Sequence, residues 1–129
     1  MLKHLFFWIA LIWSFVIAFF CLVPSNDIPD VAIPNLDKLV HAFFHFVFTI
    51  LWFLFFKKQV AKRNQIKLLI VSFCFSLVFG ISIEIIQDQL TTSRSGDFFD
   101  VLANLSGAIL AVVFVLFAKK NKNPFNNPF

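Results

Sequence analysis

Four long apolar runs, separated by three short polar stretches, set the pattern of this chain. The first apolar run predicts a helix over Leu5–Val23. A second runs from about residue 36 to Phe56, a third covers Leu68–Ile86 and a fourth Phe98–Phe117. Each approaches the roughly 20 apolar residues needed to cross a hydrocarbon core of about 30 Å. The stretch 24–36 holds Pro24, Pro29 and Pro34, which bar a regular helix. Asn35 is placed to cap the second helix, and Asp37 falls in its first turn, where an acid favours the helix dipole. Trp52, near the far end of that run, is expected as an interfacial anchor. The N-terminal run has the basic start of a signal peptide, but its core is long and no small-x-small site follows it. It is read as a retained span.

Within the runs, the few polar residues keep helical spacing. Asp37, His41, His45 and Thr49 recur every four residues and wind slowly along one face. Ser72, Ser76, Gly80, Glu84 and Asp88 do the same, and the first three form a ridge that lets another helix approach closely. Asp97, Asp100, Asn104, Gly107 and Ala111 share a stripe of about 80° at 100° per residue. The first run carries almost no polar residue and is expected to face lipid. The other three polar faces should meet, with their charged members gathered at one end of the bundle.

Composition sharpens this picture. The chain has 129 residues, 60% hydrophobic and only 14% charged, too apolar for a soluble domain of this size. The fold class is therefore all-α: a polytopic membrane protein built as a four-helix bundle, one domain over 1–118 with a tail at 119–129. The tail, basic and then Asn/Pro-rich, reads as disordered.

The net charge of +4 does not signal nucleic acid, because the basic residues lie between apolar runs. Lys3, Lys57, Lys58, Lys62, Arg63, Lys67, Lys119, Lys120 and Lys122 fall on one side of the four-span arrangement. All seven acidic residues, with Lys38 and Arg94, fall on the other. Lysine and arginine mark the cytoplasmic side. Both termini are therefore expected in the cytoplasm of a bacterial inner membrane, with the acidic end facing outward. Cys21 and Cys74 then lie near opposite faces, too far apart for a disulfide.

The chemistry concentrates at residues 80–107, where charge sits at the edge of apolar segments. Such residues are costly there and commonly functional. Asp97 and Asp100 in D-x-x-D also read as a helix start of the capping-box kind. Arg94 can neutralise neighbouring carboxylates through its guanidinium fork. Asn104, two turns into the last span, is set for an interhelical hydrogen bond. His41 and His45, at i and i+4, could hold a metal with Glu84 or Asp88, but no H-E-x-x-H or third telling histidine supports it. No cofactor is called for. No Ser–His–acid order stands out either.

At these residues the chain resembles the VanZ-like family of small bacterial membrane proteins. The matching pieces are DKLVH at 37–41, EIIQ at 84–87 and RSGDFFDVLANLSG at 94–107. The resemblance covers about residues 24–115. It departs at His45, which is outside the pattern, and at Ala111, where a second glycine often stands. It singles out Asp37, Lys38, His41, Glu84, Gln87, Arg94, Asp97, Asp100, Asn104 and Gly107, without assigning them roles. The family's name comes from a protein linked to teicoplanin resistance. The resemblance thus implies a cell-envelope role: an outward polar cluster that binds or modifies a cell-wall precursor, a lipid headgroup or a glycopeptide. Two other classes fit the same residues. One is a small intramembrane enzyme, acid/base or metal-dependent, working through His41 or Glu84. The other is a scaffolding bundle whose polar residues only lock its helices. An outward pocket beside the cluster would favour a site; complete internal pairing would favour a lock.

Overall fold

The computed structural model describes residues 2–23, 36–60, 63–90 and 97–122. The proline-rich segment, the Asn35 cap, Arg94 and the end of the tail lie outside these residues. Four helices make up the described chain: α1 (Leu2–Leu22), α2 (Leu36–Gln59), α3 (Gln65–Leu90) and α4 (Phe98–Lys122). All four are long and apolar enough to cross a membrane. Most exceed the expected bounds at their basic ends. The lysines of the last turns of α2 and α4 suit a helix C-terminus, whose carbonyls carry partial negative charge. Residues 119–122, expected in the tail, thus belong to α4.

The helices alternate in direction. Phe7 on α1 meets Trp52 and Phe55 on α2, while Trp13 meets Phe43 and Phe44, so the two run antiparallel. Phe48 stacks on Phe79 at 4.7 Å, and Trp52 sets its edge on Phe75 at 4.9 Å, which brings α3 antiparallel to α2. α4 runs parallel to α2, with Phe46 beside Phe114. α1 and α4 lie on opposite sides of the α2–α3 pair and do not touch among the described residues. Outward-facing side chains such as Ile12, Phe15, Val78 and Leu110 leave the rim apolar, as lipid requires.

Two expectations change here. α1 is not merely a lipid-facing helix: Ala10, Ile17 and Cys21 are buried against α2 and α3. Its indole Trp13 donates to the Phe44 carbonyl at 3.0 Å. Trp52 is not an interfacial anchor. It continues the inward stripe His41–His45–Phe48–Thr49 of α2 and is buried, its indole nitrogen donating to Ser14 Oγ at 3.3 Å. Ringed by Phe7, Phe48, Phe55 and Phe75, it holds the middle of the bundle, each such pair contributing about 0.5–1.5 kcal/mol.

The small-residue ridge behaves as its spacing predicts. Ser72, Ser76 and Gly80 are all buried. Ser72 returns its hydroxyl to the Leu68 carbonyl, while Ser76 faces His45. Neither cysteine forms a disulfide among the described residues: Cys21 is buried near the end of α1 and Cys74 exposed in mid-α3.

Candidate functional site

At the end of the bundle where α2 and α4 begin and α3 finishes, three helices bring their polar faces together. α2 contributes Asp37, Lys38 and His41. α3 contributes Glu84 and Gln87, and the start of α4 contributes Asp97, Asp100 and Asn104. His41, Glu84, Gln87, Asp100 and Asn104 are buried.

Lys38 organises the outer layer. Its ammonium donates to Asp37 Oδ2 at 2.9 Å, Asp97 Oδ2 at 2.8 Å and Asp100 Oδ1 at 2.7 Å. Lys38 thus clamps Asp97 and Asp100; the clamp expected of Arg94 falls outside the described residues. The available signal was position: Lys38 opens α2 at the acidic end, with only Arg94 as a fellow cation there. Asp97 is also a helix cap, its Oδ1 accepting the Phe99 backbone N–H at 2.9 Å. The Lys38 bond first, and this backbone bond second, hold its carboxyl below the usual carboxylate range.

The D-x-x-D capping box is only half made. In a full box the acid three residues on would accept the N–H of the cap residue. Here Glu84 from α3 accepts the Asp97 N–H, at 3.2 Å from Oε2. Asp100 is thereby released to face Lys38 and His41.

His41 lies beneath. Its Nδ1 is 3.0 Å from Asn104 Oδ1. An amide oxygen only accepts, so Nδ1 donates this bond. Nε2 is 3.7 Å from Asp100 Oδ2, and Nδ1 is 3.9 Å from Glu84 Oε1. Glu84 Oε1 is buried and accepts no hydrogen bond among the described residues. His41, Glu84 and Asp100 each place one potential ligand atom within 4.8 Å of the others.

The remaining candidates are placed differently. His45 turns away from the carboxylates: its Nδ1 pairs with Ser76 Oγ at 2.8 Å, in the groove beside Gly80. It does not join His41 in a metal-type group. Gln87 donates to the Cys21 carbonyl at 2.6 Å, satisfying an end carbonyl of α1. Sequence spacing within one helix carries no signal for that contact. Asp88 is exposed and lines a cleft with Ile81, Glu84, Ile85, Gln89, Asp97 and Val101. This cleft of about 330 Å³ opens on the α3–α4 side, with Glu84 among its lining residues.

Lys38→Met should destabilise the chain by roughly 1–3 kcal/mol. Breaking a buried ion pair costs about 3–5 kcal/mol, and partial exposure of Lys38, Asp37 and Asp97 screens part of that. Asp97, with its lowered pKa, contributes stability above the ordinary carboxylate range and loses it as pH falls through its folded value. The melting gap between wild type and variant should therefore be widest near roughly pH 7 and narrow toward roughly pH 3. A gap that is constant with pH would mean that Lys38 acts by packing alone.

Comparison with known proteins agrees with this arrangement of motifs. The family model described as VanZ/LLP1 matches residues 3–119. An uncharacterized protein of Schizosaccharomyces pombe is 32% identical over 94 residues, covering 71% of this chain and 54% of its own length. The chain thus spans about half the length of that relative. No solved structure matches. The chain belongs to the VanZ/LLP1 family and is a multi-pass membrane protein.

Proposed function

We propose that this member of the VanZ/LLP1 family binds the polar headgroup of an envelope lipid or lipid-linked precursor at the outward-facing end of its bundle. The observation that carries the reading is Glu84: a buried carboxylate, one oxygen without a hydrogen bond among the described residues, on the wall of an open cleft. Lys38 draws Asp37, Asp97 and Asp100 together, whereas it makes no bond to Glu84.

The cleft suits an amphipathic ligand. Ile81, Ile85 and Val101 supply apolar walls, while Glu84, Asp88 and Asp97 supply acceptors. Acceptors of this kind select headgroups rich in N–H or O–H donors. At about 330 Å³ the space accommodates a lipid headgroup.

Orientation and ligand access are tested together. In a chain free of Cys21 and Cys74, cysteines at positions 27 and 93 should react with an impermeant thiol reagent from outside the cell, and one at position 60 should not. Val101→Trp should fill the cleft beside Glu84 and lower the lipid retained through purification about tenfold. Outside labelling at position 60 would invert the orientation. Unchanged lipid retention in the tryptophan variant would remove the cleft from the proposal.

A further inference from the structure

We infer that His41, Glu84 and Asp100 form a binding site for a divalent transition-metal ion, with the cleft side left open for a further ligand. The argument starts from an electrostatic mismatch. The Asn104 bond takes a hydrogen from His41 Nδ1, which leaves Nε2 facing the carboxylate oxygen Asp100 Oδ2 at 3.7 Å. An imidazole nitrogen and a carboxylate oxygen facing each other in a buried site need a proton or a metal ion between them. The separation is too long for a hydrogen bond. It fits an intervening ion: two atoms each about 2.1 Å from a tetrahedral centre lie about 3.4 Å apart.

Glu84 supplies the independent observation. Its Oε1 is buried, accepts no hydrogen bond among the described residues, lies 3.9 Å from His41 Nδ1, and falls within the 4.8 Å group of candidate ligand atoms that His41, Glu84 and Asp100 form. Its other oxygen is anchored by the Asp97 N–H, which fixes the direction in which Oε1 is offered. Asp100 is prepared in the same way: Lys38 holds Oδ1 at 2.7 Å and leaves Oδ2 for the site. The Asn104 carbonyl takes the outer hydrogen of His41, as the partners of metal-bound histidines commonly do. Each ligand thus has one atom in the cluster and another tied to the frame.

The donor set names the class of ion. One imidazole nitrogen and two carboxylate oxygens suit Zn²⁺, Mn²⁺ or Fe²⁺. Calcium prefers six to eight oxygens, and Cu(I) prefers sulfur. Three protein ligands leave at least one position open, and Glu84 borders the cleft. A phosphate or hydroxyl oxygen of a ligand could enter there. The site stands on its own geometry, whether or not the headgroup reading holds.

The test reads the metal itself. The full chain, purified in detergent and stripped with a chelator, is titrated with Zn²⁺, and bound zinc per chain is measured after desalting. Co²⁺ loading then reports coordination by its visible absorption. Wild type should hold one ion per chain, with a cobalt spectrum of low coordination number. Glu84→Gln and His41→Gln should each weaken binding at least tenfold, while His45→Gln, outside the cluster, should retain one ion. Should His41→Gln fail to fold, Glu84→Gln, which keeps size and shape, decides the matter with its fold followed by circular dichroism. No zinc above the detergent blank would overturn the site and leave a proton between His41 and Asp100. So would zinc held equally well by folded Glu84→Gln.

Discussion

Gly107→Ala should leave little folded protein, although it adds a single methyl group. A Cβ on Gly107 would meet the carbonyl oxygen of Ala42, with the carbonyl carbon at 2.7 Å and Cα at 2.9 Å. All three atoms are backbone. No side chain can swing aside, so α2 and α4 must move apart. Overpacking costs about 1–3 kcal/mol where side chains can yield, and a rigid backbone contact belongs at or above the top of that range. The separation would also break the contacts Lys38 makes with Asp97 and Asp100, and the His41–Asn104 bond. Gly80 is the instructive contrast. A Cβ there meets side-chain ends, Asn104 Nδ2 at 2.9 Å and His45 Cε1 at 2.9 Å, which can shift. Gly80→Ala should therefore melt measurably below wild type but fold, whereas Gly107→Ala should be lost to aggregation or degradation. Thermal melts and size-exclusion profiles of the two variants check the order. A Gly107→Ala protein melting like wild type would mean that α2 and α4 are not held in this contact.

The difference between these glycines also marks how far the sequence could be read. Helix number, approximate bounds and the inward faces of α2, α3 and α4 follow from hydrophobic periodicity, because a residue's face depends on its own helix alone. The Ser72–Ser76–Gly80 ridge and the interhelical role of Asn104 were legible for that reason. Partner identity was not. Lys38 was set apart by its position but given no role, because its three carboxylates come together only when α4 packs parallel to α2. The metal-type group was sought in His41 with His45, one turn apart on one helix. The register of α3 instead sends His45 to Ser76, and α4 brings Asp100 across to His41. Trp52 misled for a similar reason: tryptophan near a span's end is a common anchor, but this one faces Phe75.

Glu84→Gln should separate fold from function more cleanly than any other change. The amide keeps the shape of the carboxylate, and its oxygen can still accept the Asp97 N–H, so the start of α4 stays docked on α3. What disappears is a buried negative charge with one oxygen left over. A buried charge without a full set of partners costs stability, so its removal should leave the melting temperature equal or raised. Ligand binding should suffer instead, because a hydrogen bond to a charged group contributes about 1.5–3 kcal/mol, or ten- to hundredfold in affinity.

The central claim is that this carboxylate is kept for a ligand's donors and not for the fold. The most direct measurement compares phosphatidylethanolamine, whose ammonium carries N–H donors, with phosphatidylcholine, which has the same charge and none. Binding of each to chelator-treated protein is followed by native mass spectrometry, so that the carboxylate is read without a metal. The account predicts that wild type prefers phosphatidylethanolamine at least tenfold, and that Glu84→Gln folds normally and loses the preference. A wild type indifferent to the two lipids, or a Glu84→Gln variant that keeps the preference, would contradict it.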